Sequence, residues 1–308
     1  MLQLVKQIKV KSILNKLKRQ DDWFLVDYTI NPFMGCEFNC VYCYIHGSKY
    51  GGDDTLLLQV KINAPEVLHR QLKNRARKRE YGFIGLGSST EPYPSVEEDL
   101  QITGELLKII YRFKFPLNIN TKSKLVLRDI DLLKKIDETA ILPDNLKNKM
   151  KRGVIVSFSF STVDPDLASI FEPSASTVEE RLETMQKFKE EGFLVGANLM
   201  PVLPFLSDSK EELEKMIITV KDHGAEFVLV GGLTLFGDNP SDCKVRYFDI
   251  LEKHFPELIP KTRKLFGNSF APSRAYQHDL AVLAEKLARK HHIRTRIINS
   301  EELIENES

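Results

Sequence analysis

Cys36, Cys40 and Cys43 lie in the stretch NPFMGCEFNCVYCY, residues 31–44, at the spacing C-x3-C-x2-C, with Tyr42 just before the last of them. Three thiolates on one tight loop can bind three irons of a cubane [4Fe–4S] cluster. The fourth iron then has no protein ligand and is open to chelation by a small molecule. The same residues admit a second chemistry. With His46 three residues on, they could close a Cys3His zinc site of the structural kind. Such zinc sites usually stand in small domains that need the metal to fold, whereas this chain has 308 residues and 42% hydrophobic content. A cluster ligated wholly by protein needs four thiolates, and the remaining cysteine, Cys243, is 200 residues away.

The length suits one large domain or two small ones. No apolar run reaches the roughly 18 residues of a membrane span. The first twenty residues alternate lysines with apolar side chains and read as neither signal peptide nor anchor. Four cysteines, three of them clustered, do not make a disulfide framework, so a reducing, cytoplasmic compartment without membrane attachment is expected. The net charge of +1 is uneven. Residues 1–80 carry 14 Lys and Arg against 8 Asp and Glu. Much of that excess is the run Arg70, Lys73, Arg75, Arg77, Lys78 and Arg79. It permits a nucleic-acid partner through phosphate contacts. No aromatics interleave for base stacking, so a solvated helix end is favoured over nucleic acid.

These residues need a scaffold. Apolar segments at 28–30, 83–87, 117–120, 154–160, 194–202 and 227–235 read as strands, and 56–62 as a shorter one. Helical patterns fall between them, from 64 into the basic run and at 96–113, 129–136, 177–191 and 209–222, with 142–152 a polar connection. Residues 46–55 read as a glycine-rich loop, and a late strand is expected near 293–298. The alternation predicts parallel strands with right-handed crossovers, about six units in all. Enzymes of that architecture carry their chemistry on loops after the strands' C-terminal ends, where the cysteine loop falls. The expected organisation is an N-terminal extension (1–26), an α/β unit (27–240) and a mainly helical C-terminal region (241–308). The extension should pack through Ile13, Leu14, Leu17, Trp23 and Phe24.

The cysteine stretch resembles the signature loop of the radical S-adenosylmethionine (radical SAM) superfamily. The likeness extends through KSILNK, VKINAPEVL, GSSTEPYPSVE, NTKSKLVLRDIDLL and EPSASTVEERLETMQKFKEEGFLVGANLMPVLPFLSD, roughly residues 8–236, to the branch typified by spore photoproduct lyase. The resemblance implies an incomplete (β/α)6 barrel and an enzyme with two cofactors, a [4Fe–4S] cluster on Cys36, Cys40 and Cys43 and S-adenosylmethionine on the open iron. Reductive cleavage would give a 5′-deoxyadenosyl radical that takes hydrogen from a substrate the sequence does not name. An electron donor such as ferredoxin or flavodoxin is implied as partner.

It also assigns expectations to the loops. Tyr42 would lie by the adenine. Ser88, Ser89, Thr90 and Glu91 follow the second strand, where the methionyl ammonium needs acceptors. Lys122 follows the third, where the carboxylate needs a cation. In VIVSFSFST, alternation puts Ser157, Ser159 and Ser161 on one face, and Ser159 and Ser161 are the expected ribose and carboxylate contacts. Arg181 could clamp the carboxylate or pair with Glu172 or Glu179. Asn198 and 200–204 would border the adenine, and Gly231-Gly232 would be either a close backbone approach or plain tight packing. Against dimer repair in DNA, the lyase's additional hydrogen-donating cysteine is missing, since no cysteine lies between Cys43 and Cys243. Lyase-like repair and a non-catalytic zinc or iron–sulfur module remain the alternatives.

Overall fold

Six segments rich in Val, Ile, Leu and Phe, with a short edge strand, build one seven-stranded sheet in the computed structural model, which describes residues 5–51 and 57–298. In chain order the strands are β1 (Lys6–Ile8), β2 (Asn15–Lys16), β3 (Val26–Ile30), β4 (Phe33–Met34), β5 (Gln59–Lys61), β6 (Phe83–Leu86), β7 (Leu117–Thr121), β8 (Val154–Phe160), β9 (Leu194–Val202) and β10 (Phe227–Gly232). The helices are α1 (Ala64–Arg77), α2 (Glu97–Leu100), α3 (Ile102–Phe113), α4 (Ile130–Thr139), α5 (Pro165–Phe171), α6 (Val178–Glu190), α7 (Lys210–Asp222), α8 (Cys243–His254), α9 (Ile259–Phe266) and α10 (Arg274–Lys290).

The main sheet has the order β10-β9-β8-β7-β6-β3-β2. Neighbours from β3 to β10 are parallel, and β2 joins β3 antiparallel at the edge. Parallel neighbours need crossovers, which the intervening helices supply. The fold is therefore α/β with a mostly parallel central sheet. A small second sheet, β1-β5-β4, holds the start of the cysteine loop, because β4 pairs antiparallel with β5.

The two faces of the main sheet differ in chemistry. One face carries Ile84, Leu86, Leu117, Ile119, Val156, Phe158, Val195 and Ala197 into a large apolar core with the helices. The other is apolar only toward the strands' N-terminal ends, where Phe83, Ile155, Leu194 and Phe227 cluster. Beyond them the same face presents Gly85, Asn118, Asn120, Ser157, Ser159, Gly196 and Asn198. One cavity touches residues from Asn15 at one edge of this sheet to Gly231 at the other.

Several local readings change. The helix expected over 96–113 is broken at Gln101, which takes a left-handed conformation (φ 52°) and separates α2 from α3. The helix expected at 129–136 runs to Thr139, after a 3-10 turn at Lys124–Asp129. The sequence pattern did not suggest α5, whose start is fixed by the Asp164 carboxylate accepting from the Asp166 and Leu167 amides. The late strand reduces to a single parallel bridge between Phe227 and Arg294. In the extension Ile13 and Leu14 are buried as expected, but Trp23 is 49% exposed and does not anchor it. Residues 52–55 of the expected glycine-rich loop and residue 56 of the expected short strand lie outside the described residues. Among the described residues no helix is long and apolar enough to cross a membrane.

Gly196 sits where a β-carbon would collide with the Phe227 ring. Overpacking of this kind costs about 1–3 kcal/mol. Gly196→Ala should therefore lower the thermal unfolding midpoint measured by circular dichroism. An unchanged midpoint would mean that the apolar floor of the cavity is loosely packed.

Candidate active site

The cysteine loop leaves β3 at Ile30 and turns at Gly35, whose positive φ of 72° suits glycine. Short hydrogen-bonded turns follow, with the Cys43 amide donating to the Cys40 carbonyl (3.1 Å) and the His46 amide to the Cys43 carbonyl (3.0 Å). All four cysteines are free thiols, and Cys36, Cys40 and Cys43 line the cavity, which holds about 900 Å³. Burial pushes each of these three thiols up to about 12, and their mutual proximity adds to it. Lys122 opposes the rise at Cys40 and Cys43. Buried thiols so reluctant to ionise become ligands only against strongly positive centres, with release of their protons. Among the described residues no three His, Cys, Asp or Glu side chains converge on a single ion, as a zinc site requires. His46 is buried, and burial, followed by the Arg246 charge, holds it down at about 4.

Tyr42 is fixed from behind. Its hydroxyl donates to the Glu172 carboxylate, to which Ser161 Oγ also donates at 2.8 Å. Arg181 Nη2 lies 2.6 Å from the other Glu172 oxygen, an electrostatic contact off hydrogen-bond geometry, and both side chains are 1% exposed. Arg181 Nη1 donates to the Ser159 carbonyl at 2.6 Å, and its guanidinium covers the Phe160 ring. The Val41 amide donates to the Phe171 carbonyl at 2.9 Å, tying the loop to the end of α5. Burial raises the Glu172 carboxyl, but Arg181, Lys122 and the two hydroxyl donors together hold it below the ordinary range. Burial and the adjacent Glu172 charge push the Tyr42 phenol well up, so it stays neutral.

The loop after β6 is tied to the cysteine loop through Asn31. The Asn31 side chain donates to Ser88 Oγ (3.1 Å) and accepts from the Ser89 amide (3.2 Å). Thr90 Oγ1 donates to the Phe33 carbonyl (3.3 Å), and the Tyr44 hydroxyl to the Ser88 carbonyl (2.7 Å). Gly87 opens this loop at φ 86°, and a β-carbon there would strike the Asn120 carbonyl, so glycine is required twice over. Glu91 accepts from Thr121 Oγ1 (2.5 Å) and from the Lys122 (3.0 Å) and Tyr93 (3.1 Å) amides, yet burial still raises its carboxyl. Lys122 Nζ stands 5.9 Å from the centre of the Tyr42 ring.

Of the residues expected from sequence, Tyr42, Ser88, Ser89, Thr90, Glu91, Lys122 and Ser159 line the cavity with the three cysteines. Ser161 and Arg181 do not. Ser161 is turned to Glu172, and of the partners open to Arg181 it takes Glu172. Both take part in a buried network behind the wall. Asn120 went unnoticed, although strand alternation places it with Asn118 on the inner face. Asn198 donates to Asn120 Oδ1 at 2.7 Å. Asn118 Oδ1, Ser157 Oγ and Asn198 Oδ1 are buried without hydrogen-bond partners among the described residues, and of these three residues Asn198 lines the cavity.

Two further motifs fall away from the cavity. The basic run occupies the end of α1 just before β6 begins, so it lies by the strands' N-terminal ends, opposite the cysteine loop. There Arg75 pairs with Glu80 and covers the Tyr28 ring. Cys243 is buried, its sulfur accepting from the Phe236 amide at 3.2 Å.

A family model described as the radical SAM superfamily matches residues 30–217. An uncharacterized protein of Mycobacterium tuberculosis is 27% identical over 266 residues, covering 84% of this chain and 73% of the relative. An uncharacterized protein of Methanocaldococcus jannaschii is 29% identical over 208 residues, covering 66% and 69%. Among solved structures, a spore photoproduct lyase variant with bound AdoMet and dinucleoside spore photoproduct superposes at a TM-score of 0.64 and 14% identity, covering 93% of this chain and 78% of that one. Spore photoproduct lyase complexed with dinucleoside spore photoproduct gives 0.62 at 13%, covering 92% and 78%. At such identities the likeness is one of fold.

Arg181→Met would leave Glu172 buried and unpaired, a loss of about 3–5 kcal/mol. The double variant Glu172→Gln/Arg181→Met should recover most of it in denaturant unfolding. The pair's contribution is present above glutamate's ordinary 4.5 and is lost as pH falls through the lower folded value. A single variant as stable as wild type, but with weakened S-adenosylmethionine binding, would return Arg181 to the cofactor.

Proposed function

The chain belongs to the radical SAM superfamily, whose members are enzymes using a [4Fe–4S] cluster and S-adenosylmethionine, and on that premise we propose that Cys36, Cys40 and Cys43 are the cluster's ligands. The observation that carries this is the three neighbouring thiols along the wall of one large cavity, with polar groups from the ends of β6, β7 and β8 on the same wall. When bound, the cofactors supply reductive cleavage of S-adenosylmethionine to a 5′-deoxyadenosyl radical, which abstracts hydrogen from a substrate.

The chain's own residues have the remaining tasks. Tyr42, locked by Glu172, offers a fixed apolar face by the adenine. Lys122 supplies the cation for the methionyl carboxylate. Glu91 and the hydroxyls of Ser88, Ser89 and Thr90 surround the methionyl ammonium. Ser159 offers a hydroxyl to the ribose. Asn120 and Asn198 line the deeper part of the cavity, where a substrate would meet neutral amides. The sheet is read as the incomplete (β/α)6 barrel of a 27–240 unit, with 1–26 as an N-terminal extension and 241–308 as a mainly helical C-terminal region; among the described residues, β2 pairs with β3 at the sheet edge and α8 starts against the cysteine loop. A one-electron donor of the ferredoxin or flavodoxin kind and a reducing, cytoplasmic setting suit an oxygen-sensitive cluster.

The reaction of spore photoproduct lyase is not carried over. Cys243 is buried in hydrogen bonds to Phe236 and does not line the cavity, and the basic run faces the other end of the sheet.

Anaerobic reconstitution should load four irons per chain. Dithionite and S-adenosylmethionine should then yield 5′-deoxyadenosine, and Cys40→Ala should abolish it. One tightly held zinc and no cleavage would sink the proposal. Because the thiols must shed protons to become ligands, iron and sulfide uptake by the apoprotein should strengthen as pH rises across the neutral range. Uptake independent of pH would mean that other groups bind the metal.

A further inference from the structure

Arg246 is the charged group near the cysteines to which the preceding assignments give no task. Helix α8 begins against the cysteine loop, with the Cys243 amide donating to the His46 carbonyl at 3.1 Å. One turn on, Arg246 Nη2 donates to the Asn39 carbonyl (3.0 Å) and to Asn39 Oδ1 (2.7 Å). Asn39 immediately precedes Cys40 and holds a left-handed φ of 49°. The guanidinium is thus fastened to the loop on both sides of one residue. Its Nη1 is buried and has no hydrogen-bond partner among the described residues. Buried donors are almost always satisfied. Neither Arg246 nor Asn39 lines the cavity, so this cation stands behind the loop, away from where a small cofactor would sit. Burial lowers the guanidinium's proton affinity, and the charges of Cys43, Cys40 and Cys243 oppose it.

We propose that Arg246 is a positioning and tuning residue whose Nη1–H is donated to sulfur at the Cys40–Cys43 side of the cluster, raising the cluster's reduction potential. The inference rests on the cluster assignment made above. The physics is direct. Reduction adds a negative charge, a fixed cation favours that charge, and hydrogen bonds to the sulfurs act in the same direction. The position also separates two cations by role. Lys122 reaches into the cavity, where a cofactor carboxylate can use it, whereas Arg246 meets only the loop.

The test is a potentiometric titration of the reconstituted protein without S-adenosylmethionine, followed by visible absorbance and by the paramagnetic signal of the reduced cluster. Wild type, Arg246→Lys, Arg246→Gln and Arg246→Met are compared, each with its iron content measured. At the potential where half the wild-type cluster is reduced, Arg246→Met should show a roughly tenfold lower ratio of reduced to oxidised cluster, about 59 mV for one electron. Arg246→Lys should recover most of the shift. Arg246→Gln should fall between, keeping a donor but not the charge. Asn39→Gly, which tolerates the positive φ and removes the Oδ1 anchor, should stay near wild type.

A fully loaded Arg246→Met that titrates with wild type overturns the inference. So does Asn39→Gly shifted as far as Arg246→Met, since Arg246 would then act only by holding the loop. Should Arg246→Met fail to load iron, the other two decide: a lowered Arg246→Gln beside a near-normal Arg246→Lys supports the inference, and two wild-type potentials overturn it. A wild-type protein that takes up no iron refutes instead the assignment of the cysteines.

Discussion

The ion pair of Glu172 and Arg181, almost wholly withdrawn from water, is the constraint on which the site depends. Two charges at that depth are tolerated only when each has several partners. Arg181 meets Glu172, the Ser159 carbonyl and the Phe160 ring, while Glu172 meets Arg181, Tyr42 and Ser161. The partners come from four places in the chain: the cysteine loop, the end of β8, the end of α5 and the start of α6. A loop of turns has little regular hydrogen bonding of its own. Here its conformation is dictated by a charge pair that cannot be satisfied any other way, and the cysteines are placed as a consequence.

The cavity in front of that loop follows from the two faces of the sheet. Apolar residues on the outer face bind the helices and stabilise the fold. On the inner face the apolar floor of Phe83, Ile155, Leu194 and Phe227 gives way to glycine, asparagine and serine nearer the strands' C-terminal ends. Packing is thereby confined to one end, and the other is left open to ligand. Charge is then distributed around the loop, with Lys122 at the cavity wall and Arg246 behind it. On the proposed ligand assignment, they would frame a centre that gains an electron.

Much of this was legible in the sequence. The cysteine spacing, the alternating serines of β8 and the β–α alternation each report a local periodicity, and the six parallel strands follow from them. What escaped depends on direction and distance. Nothing in EPSASTVEERLE says whether Arg181, among the first residues of α6, points to a ligand or back to Glu172. The basic run on α1 stands near the cysteine loop in sequence, yet the antiparallel return of a crossover helix carries it to the opposite end of the sheet. Arg246 lies 203 residues beyond Cys43, in a helix of ordinary composition, so no local pattern could connect the two. Trp23 reads as an anchor by type but is 49% exposed, whereas Leu17 and Phe24 pack against the apolar floor.

On the proposed ligand set, three cysteines leave one iron of the cluster open toward the cavity for S-adenosylmethionine. Mössbauer spectroscopy of the isotopically enriched cluster, recorded with and without S-adenosylmethionine, tests this. One iron of the cluster should change its signal on addition while the other three keep theirs. A spectrum unaltered by saturating S-adenosylmethionine would contradict the claim.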